Sequence, residues 1–281
     1  MKLVRFGDVG AEKPGLMDGD ILRDLSGHLD DITGATLDNA TLNRLRAIDP
    51  ATLPAVAGNP RVGACVGNIG KFLCIGLNYS DHAAEMGMDI PKHPILFIKA
   101  NSAIVGPNDD VVMPRGSTQT DWEVELGIVI GTTAKYVSRE NALNHVAGYC
   151  VINDVTERHF QAQLSGQWTK GKSCDTFGPI GPWLVTRDEI PDPQNLAMSL
   201  DVNGKRMQTG NTATMIFGVA EIIEHLSGLM TLHPGDVITT GTPPGIGMGM
   251  KPEPVYLNVG DVMALSIEGL GQQRQLVKQD A

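Results

Sequence analysis

From residue 72 onward, short apolar runs alternate with turn residues along most of the chain. PILFIKAN, VELGIVIG, GYCVIND, GPWLVT, MSLDVNG, DVITTGT and VMALSIEG each have the length and branched or aromatic content of a strand. Helical spacing is clearest in SRENALNHVAG and TMIFGVAEIIEHLSGLM, both of which begin near Ser or Thr and end near Gly. This rhythm lacks the regular βα repeat of a doubly wound sheet and predicts an α+β, β-dominated fold. The first 65 residues have a different texture: KLVRFG and ILRDLSG read as strands and TLDNATLNRLRAI as a short helix. PAVAGNPRVGACVGNIG then reads as a linker, which predicts a small N-terminal domain over 1–65 and a larger one over 66–281.

The segment DWEVELGIVIG (121–131) alternates as a half-buried strand does, with Trp122, Val124, Leu126 and Ile128 on one face. Glu123 and Glu125 share the other face, where two carboxylates repel unless a cation lies between them. In GYCVINDVTERHFQ, Asp154 stands at the end of a predicted strand and supplies a third carboxylate. Three hard oxygen donors without histidine or thiolate suit Mg²⁺ or Mn²⁺. The residues alone leave a second reading open, in which both glutamates face solvent on an edge strand and Asp154 caps a turn.

Composition narrows the function. The chain of 281 residues is long enough for a sizeable core, and 42% hydrophobic with 19% charged residues is ordinary for a globular protein. A net charge of −10 argues against nucleic acid and anionic membranes as partners. The N-terminus shows no secretory pattern and no stretch approaches the roughly 20 apolar residues of a membrane span. Four cysteines without a C-x-x-C pair suggest reduced thiols in a cytoplasmic protein.

Three further segments carry candidate chemistry. In GLNYSDHAAEMG, His82 and Glu85 lie three apart and meet on a helical turn; the carboxylate would fix the imidazole's tautomer and help it draw a proton from water. Gly76 and Gly87 bracket this segment and suggest a movable lid. In QWTKGKSCDTFGPIGP, Lys170 or Lys172 could offset negative charge developing on an enolate, while Cys174 reads as a packed thiol. TTGTPPGIGMGM lacks the Lys and Ser/Thr of a P-loop; it reads as a turn bringing backbone N–H groups and the Thr242 hydroxyl to a carboxylate.

Taken in order, NYSDHAAE, LFIKANSAIVGP, DWEVELGIVIG, GYCVINDVTERHFQ, KGKSCDTFGPIGP, DVNGKRMQ and GDVITTGTPPGIG resemble the fumarylacetoacetate hydrolase family over about residues 70–270. The resemblance implies a mixed β-roll catalytic domain with a small N-terminal domain, assembled as a homodimer or higher homo-oligomer. It implies Mg²⁺ (or Mn²⁺) held by Glu123, Glu125 and Asp154, and places the family lysine on Lys172. Arg158, Gln161 and Thr242 fall at substrate-lining positions, and Lys99 sits in a shared motif, against ligand or as packing. His82 and Glu85 match the lid dyad. Similarity to one bacterial subgroup implies hydrolysis of a C–C bond in a 2,4-dioxo acid, such as 2,4-didehydro-3-deoxy-L-rhamnonate, to pyruvate and a hydroxy acid. Alternatives are a 2-hydroxyhepta-2,4-diene-1,7-dioate isomerase or decarboxylase, and a ureidoglycolate lyase. A binding protein with a purely structural ion is the reading from another class; three carboxylates leave coordination positions open, which favours an enzyme.

Overall fold

The computed structural model describes residues 1–280. A ten-stranded mixed sheet forms its backbone, in the order Ile21–Asp24, Lys13–Asp18, Lys2–Phe6, Gly178–Thr186, Val146–Asn153, Val124–Ile130, Val237–Thr239, Phe72–Gly76 and Ile95–Lys99, with Ile104–Val105 paired to Gly178–Thr186 off this path. A five-stranded sheet runs Lys205–Asn211, Ala197–Val202, Val262–Ile267, Gly271–Gln279 and Val111–Met113. The expected β-dominated α+β architecture is what the chain adopts. Among the described residues no helix is long and apolar enough to cross a membrane.

The strand Val124–Ile130 lies in the middle of the large sheet and is buried on both faces, so the edge-strand alternative does not hold. Its period of two divides it between two cores. Val124, Leu126, Ile128 and Ile130 pack with Met198, Leu200, Met263 and Leu265 of the smaller sheet. Val129 faces the other way, into a cluster built largely by the N-terminal segment, including Leu3, Leu16, Leu37 and Leu42. Glu123 and Glu125 lie further along this second face.

The first 65 residues, expected as a small N-terminal domain, add three strands to the large sheet. Lys2 and Leu3 pair with Val185 and Leu184, and the meander Lys2–Phe6, Lys13–Asp18, Ile21–Asp24 extends from that junction. The N-terminal core residues share one cluster with Phe72, Val129 and Leu184.

The second predicted helix is shorter than its apolar pattern. It spans Val219–Leu229, because Asn78 captures the preceding residues: the Ile216 N–H donates to the Asn78 carbonyl and the Phe217 N–H to Asn78 Oδ1. The Asn78 side-chain amide also donates to the Phe217 and Thr240 carbonyls. This one buried side chain therefore joins three segments at the sheet edge where Phe72–Gly76, Val146–Asn153 and Val237–Thr239 all end.

Candidate metal centre and active site

Sheet register assembles the acidic cluster. In the antiparallel pair, Ile152 faces Glu125 and Asn153 faces Val124, and the next step sets Asp154 beside Glu123, where the Asp154 N–H donates to the Glu123 carbonyl at 2.9 Å. Cross-strand partners share a face, so three carboxylates converge. Their ligand oxygens lie within 4.8 Å of one another, and all three residues are buried.

The same register continues to Thr156 opposite Asp121, which adds a fourth carboxylate beyond the three expected from the sequence. Asp121 is fully buried; its Oδ2 accepts from Arg158 Nε at 2.9 Å and from Arg158 Nη2 at 2.8 Å. The signal was available, since DWEVE extends the acidic alternation by one more step.

Three cations answer these four anions. Lys172 Nζ donates to Glu123 Oε2 and to Asp154 Oδ2, both at 2.6 Å. Arg158 Nη2 reaches Glu123 Oε1 at 2.5 Å, and Nη1 donates to Gln161 Oε1 at 3.1 Å. Lys99 donates to Asp154 Oδ1 and to the Val155 carbonyl. Lys172 is thus the buried lysine of its segment, while Lys170 is exposed and donates to the Leu164 carbonyl.

Glu125 is left out of this pairing. Its Oε2 accepts the Gly241 N–H at 2.8 Å, and it has no ion-pair partner among the described residues. Burial, reinforced by the Asp154 and Glu123 carboxylates, holds its carboxyl well above the usual range. Burial would also raise Glu123, but Lys172 and Arg158 outweigh it and bring that carboxyl down to about 2. Burial would lower Lys172, and the Asp154 and Glu123 carboxylates more than offset it. Three oxygen donors, one of them without a cationic partner, fit a hard divalent cation, whose charge would take the place of the Glu125 proton.

A pH prediction follows for the metal-free protein. A carboxyl raised in the fold keeps its proton after the unfolded chain has lost it, so stability falls as pH rises above Glu125's ordinary value of 4.5. The slope reaches at most about 1.4 kcal/mol per pH unit and ends once folded Glu125 ionises. Denaturation midpoints measured with chelator from about pH 5 to 8 should show this slope in the parent and lose it in Glu125→Gln.

A cavity of about 210 Å³ opens onto the cluster and is lined by Glu123, Glu125, Arg158, Gln161, Lys172, His82 and Thr242. Asp154 lies beneath this lining and Lys99 behind Asp154; neither faces the cavity, so Lys99 stands as a support for the acidic cluster here. His82 sits on the helix Ser80–Met86, and its Nδ1 is 2.9 Å from Glu85 Oε2, which leaves Nε2 as the free ring nitrogen. Gly87 ends that helix in the left-handed region at φ +63°. Gly76 serves a close approach, since a Cβ there would stand 2.2 Å from the Trp168 ring.

The glycine-rich turn does bring backbone N–H groups to carboxylates, and these are the protein's own. Gly241 donates to Glu125, Gly245 to Glu85, and Gly247 and Met248 to Asp121. The Thr242 hydroxyl donates to the Val124 carbonyl and accepts from Gln208 Nε2, so it is already engaged although Thr242 lines the cavity. Cys174 is partly buried against the core, and burial pushes its thiol up to about 11.

The family model for the fumarylacetoacetate (FAA) hydrolase C-terminal domain matches residues 71–278. The chain belongs to the fumarylacetoacetate hydrolase family. A Burkholderia multivorans protein named only provisionally as a hydrolase is 62% identical over 279 residues, covering 99% of each chain. Fumarylacetoacetate hydrolase from Exiguobacterium antarcticum superposes with a TM-score of 0.86 at 39% identity, over 100% of both chains. Maleylpyruvate hydrolase from Sphingobium sp. SYK-6, solved with manganese(II) and pyruvate, gives 0.80 at 29% identity, again over both whole chains. An enzyme of this family with a candidate acidic metal site is therefore the common ground of sequence, fold and site.

Proposed function

We propose that this fumarylacetoacetate hydrolase family member is a Mg²⁺- or Mn²⁺-dependent hydrolase that cleaves the C3–C4 bond of a 2,4-dioxo acid, releasing pyruvate and a second carboxylic acid. The observation that carries this reading is a single cavity lined both by two carboxylates of the acidic triad and by a carboxylate-supported histidine. The manganese and pyruvate in the Sphingobium structure support it by analogy.

Glu123, Glu125 and Asp154 would hold the ion. When bound there, a divalent ion supplies Lewis acidity toward the oxygens of a 2-oxo acid. The chain's own groups do the rest. Gln161, kept in place by Arg158, has an amide NH₂ to offer the substrate carboxylate. His82, oriented by Glu85, takes a proton from water as its oxygen bonds to C4. The C3–C4 bond then breaks, its electron pair passes to C3, and a proton restores the methyl group of pyruvate. Lys172 places a fixed positive charge beside the carboxylates and favours the state in which negative charge has developed.

A water-activating dyad sets this reading above isomerisation, decarboxylation or ureidoglycolate cleavage, none of which needs water at C4. Incubation with acetylpyruvate and Mn²⁺ or Mg²⁺ should release pyruvate and acetate in equal amounts, and chelator should stop it. Metal binding without pyruvate release from any 2,4-dioxo acid would remove the proposal.

A further inference from the structure

Every cation lining the cavity is already committed. Arg158 and Lys172 are the arginine and lysine of that lining, and both donate to Asp121, Glu123 or Asp154. The Thr242 hydroxyl is also taken, which leaves the Gln161 NH₂ as an uncommitted side-chain donor in the cavity that His82 also lines. The remaining wall is apolar and large: Met86, Met88, Phe97, Trp168, Ile246 and Met248. Trp168 meets Phe97 edge-on with centroids 5.4 Å apart, and it lies so close over Gly76 that no side chain fits there.

We infer that the substrate's tail beyond C4 is an alkyl or aryl group carrying no second carboxylate and no run of hydroxyls, with Trp168 and the methionines as its binding surface. The inference rests on the 2,4-dioxo acid reading above and narrows it. A terminal carboxylate brought into this wall would be desolvated with no free cation to meet it, and a polyhydroxyl tail would offer several donors to few acceptors. Methylenes instead gain by burial, and flexible thioethers accommodate chains of different shape. The tail expected from the sequence, that of a hydroxylated sugar acid, is thereby replaced by an apolar one.

The test compares acylpyruvates of matched length with the metal-loaded protein. From acetylpyruvate to hexanoylpyruvate, kcat/KM should rise about fourfold per methylene until the wall is filled. A diacid of the same length as hexanoylpyruvate should fall at least about 10²-fold below it. Trp168→Ala should flatten the chain-length dependence through KM, and Gly76→Ala should do so by displacing the indole. A diacid or hydroxylated tail that equals or outperforms its apolar counterpart overturns the inference while leaving the hydrolase reading intact. If no acylpyruvate is cleaved, the hydrolase reading fails, and calorimetry with 2-oxooctanoate and 2-oxooctanedioate in the presence of Mn²⁺ still decides the tail. Tighter binding of the monoacid sustains the inference; equal or tighter binding of the diacid, or no binding of either, overturns it.

Discussion

Glu125→Gln is expected to abolish Mg²⁺ and Mn²⁺ binding and turnover while leaving the metal-free protein at least as stable as the parent. The expectation comes from the unequal pairing within the triad. Glu123 and Asp154 are each bridged by buried cations, whereas Glu125 faces two carboxylates and accepts a backbone N–H. Glutamine keeps an acceptor for Gly241 and needs no bound proton to stay neutral, so the variant avoids the cost of holding a buried carboxyl protonated at neutral pH. Glu123→Gln should behave in the opposite sense. It leaves Lys172 and Arg158 short of a buried partner and should cost about 3–5 kcal/mol, besides losing the metal. Thermal denaturation in chelator, paired with calorimetric titration of Mn²⁺, separates the two variants. Equal destabilisation in both would contradict the charge assignment within the cluster.

The second large effect concerns the dyad. His82→Ala should lower kcat by about 10²–10⁴ with Mn²⁺ affinity unchanged, because in the proposed mechanism the imidazole handles a proton and lies outside the proposed ligand set. Glu85→Gln should cost less, since the amide oxygen can still accept from His82 Nδ1 or from the Gly245 N–H that Glu85 Oε1 now holds. Single-turnover kinetics at saturating metal provide the measurement. Parental rates in His82→Ala would take the histidine out of the proton transfer.

Much of the site was legible because it is written in strand periodicity. Two glutamates two apart share a face wherever their strand lies, and the end of the next predicted strand supplied Asp154. Asp121 was equally legible in DWEVE and was missed because the alternation was read from the metal donors alone. Whether the face was solvated was not legible, since burial depends on which strands lie beside Val124–Ile130. The joining of Leu3 to Leu184 is likewise a contact between residues far apart in sequence, with no local mark in either segment. Lys99 and Thr242 show another limit: a motif locates a residue, but hydrogen-bond partners decide whether it meets ligand or supports its neighbours. Trp168, Phe97 and the methionines carried no spacing signal, because apolar side chains around a cavity and in a core look alike in one dimension.

The amides of 241–248 have a consequence for how mutations combine. One short loop fixes the orientation of Glu125, Glu85 and Asp121, in turn a proposed metal ligand, the partner of the proposed base and the anchor of Arg158. Damage at any of the three would then loosen the loop and reach the other two, so double mutants across these positions should show losses smaller than the sum of the singles. Thermodynamically, the three positions form one coupled unit, and change within it would have to be concerted.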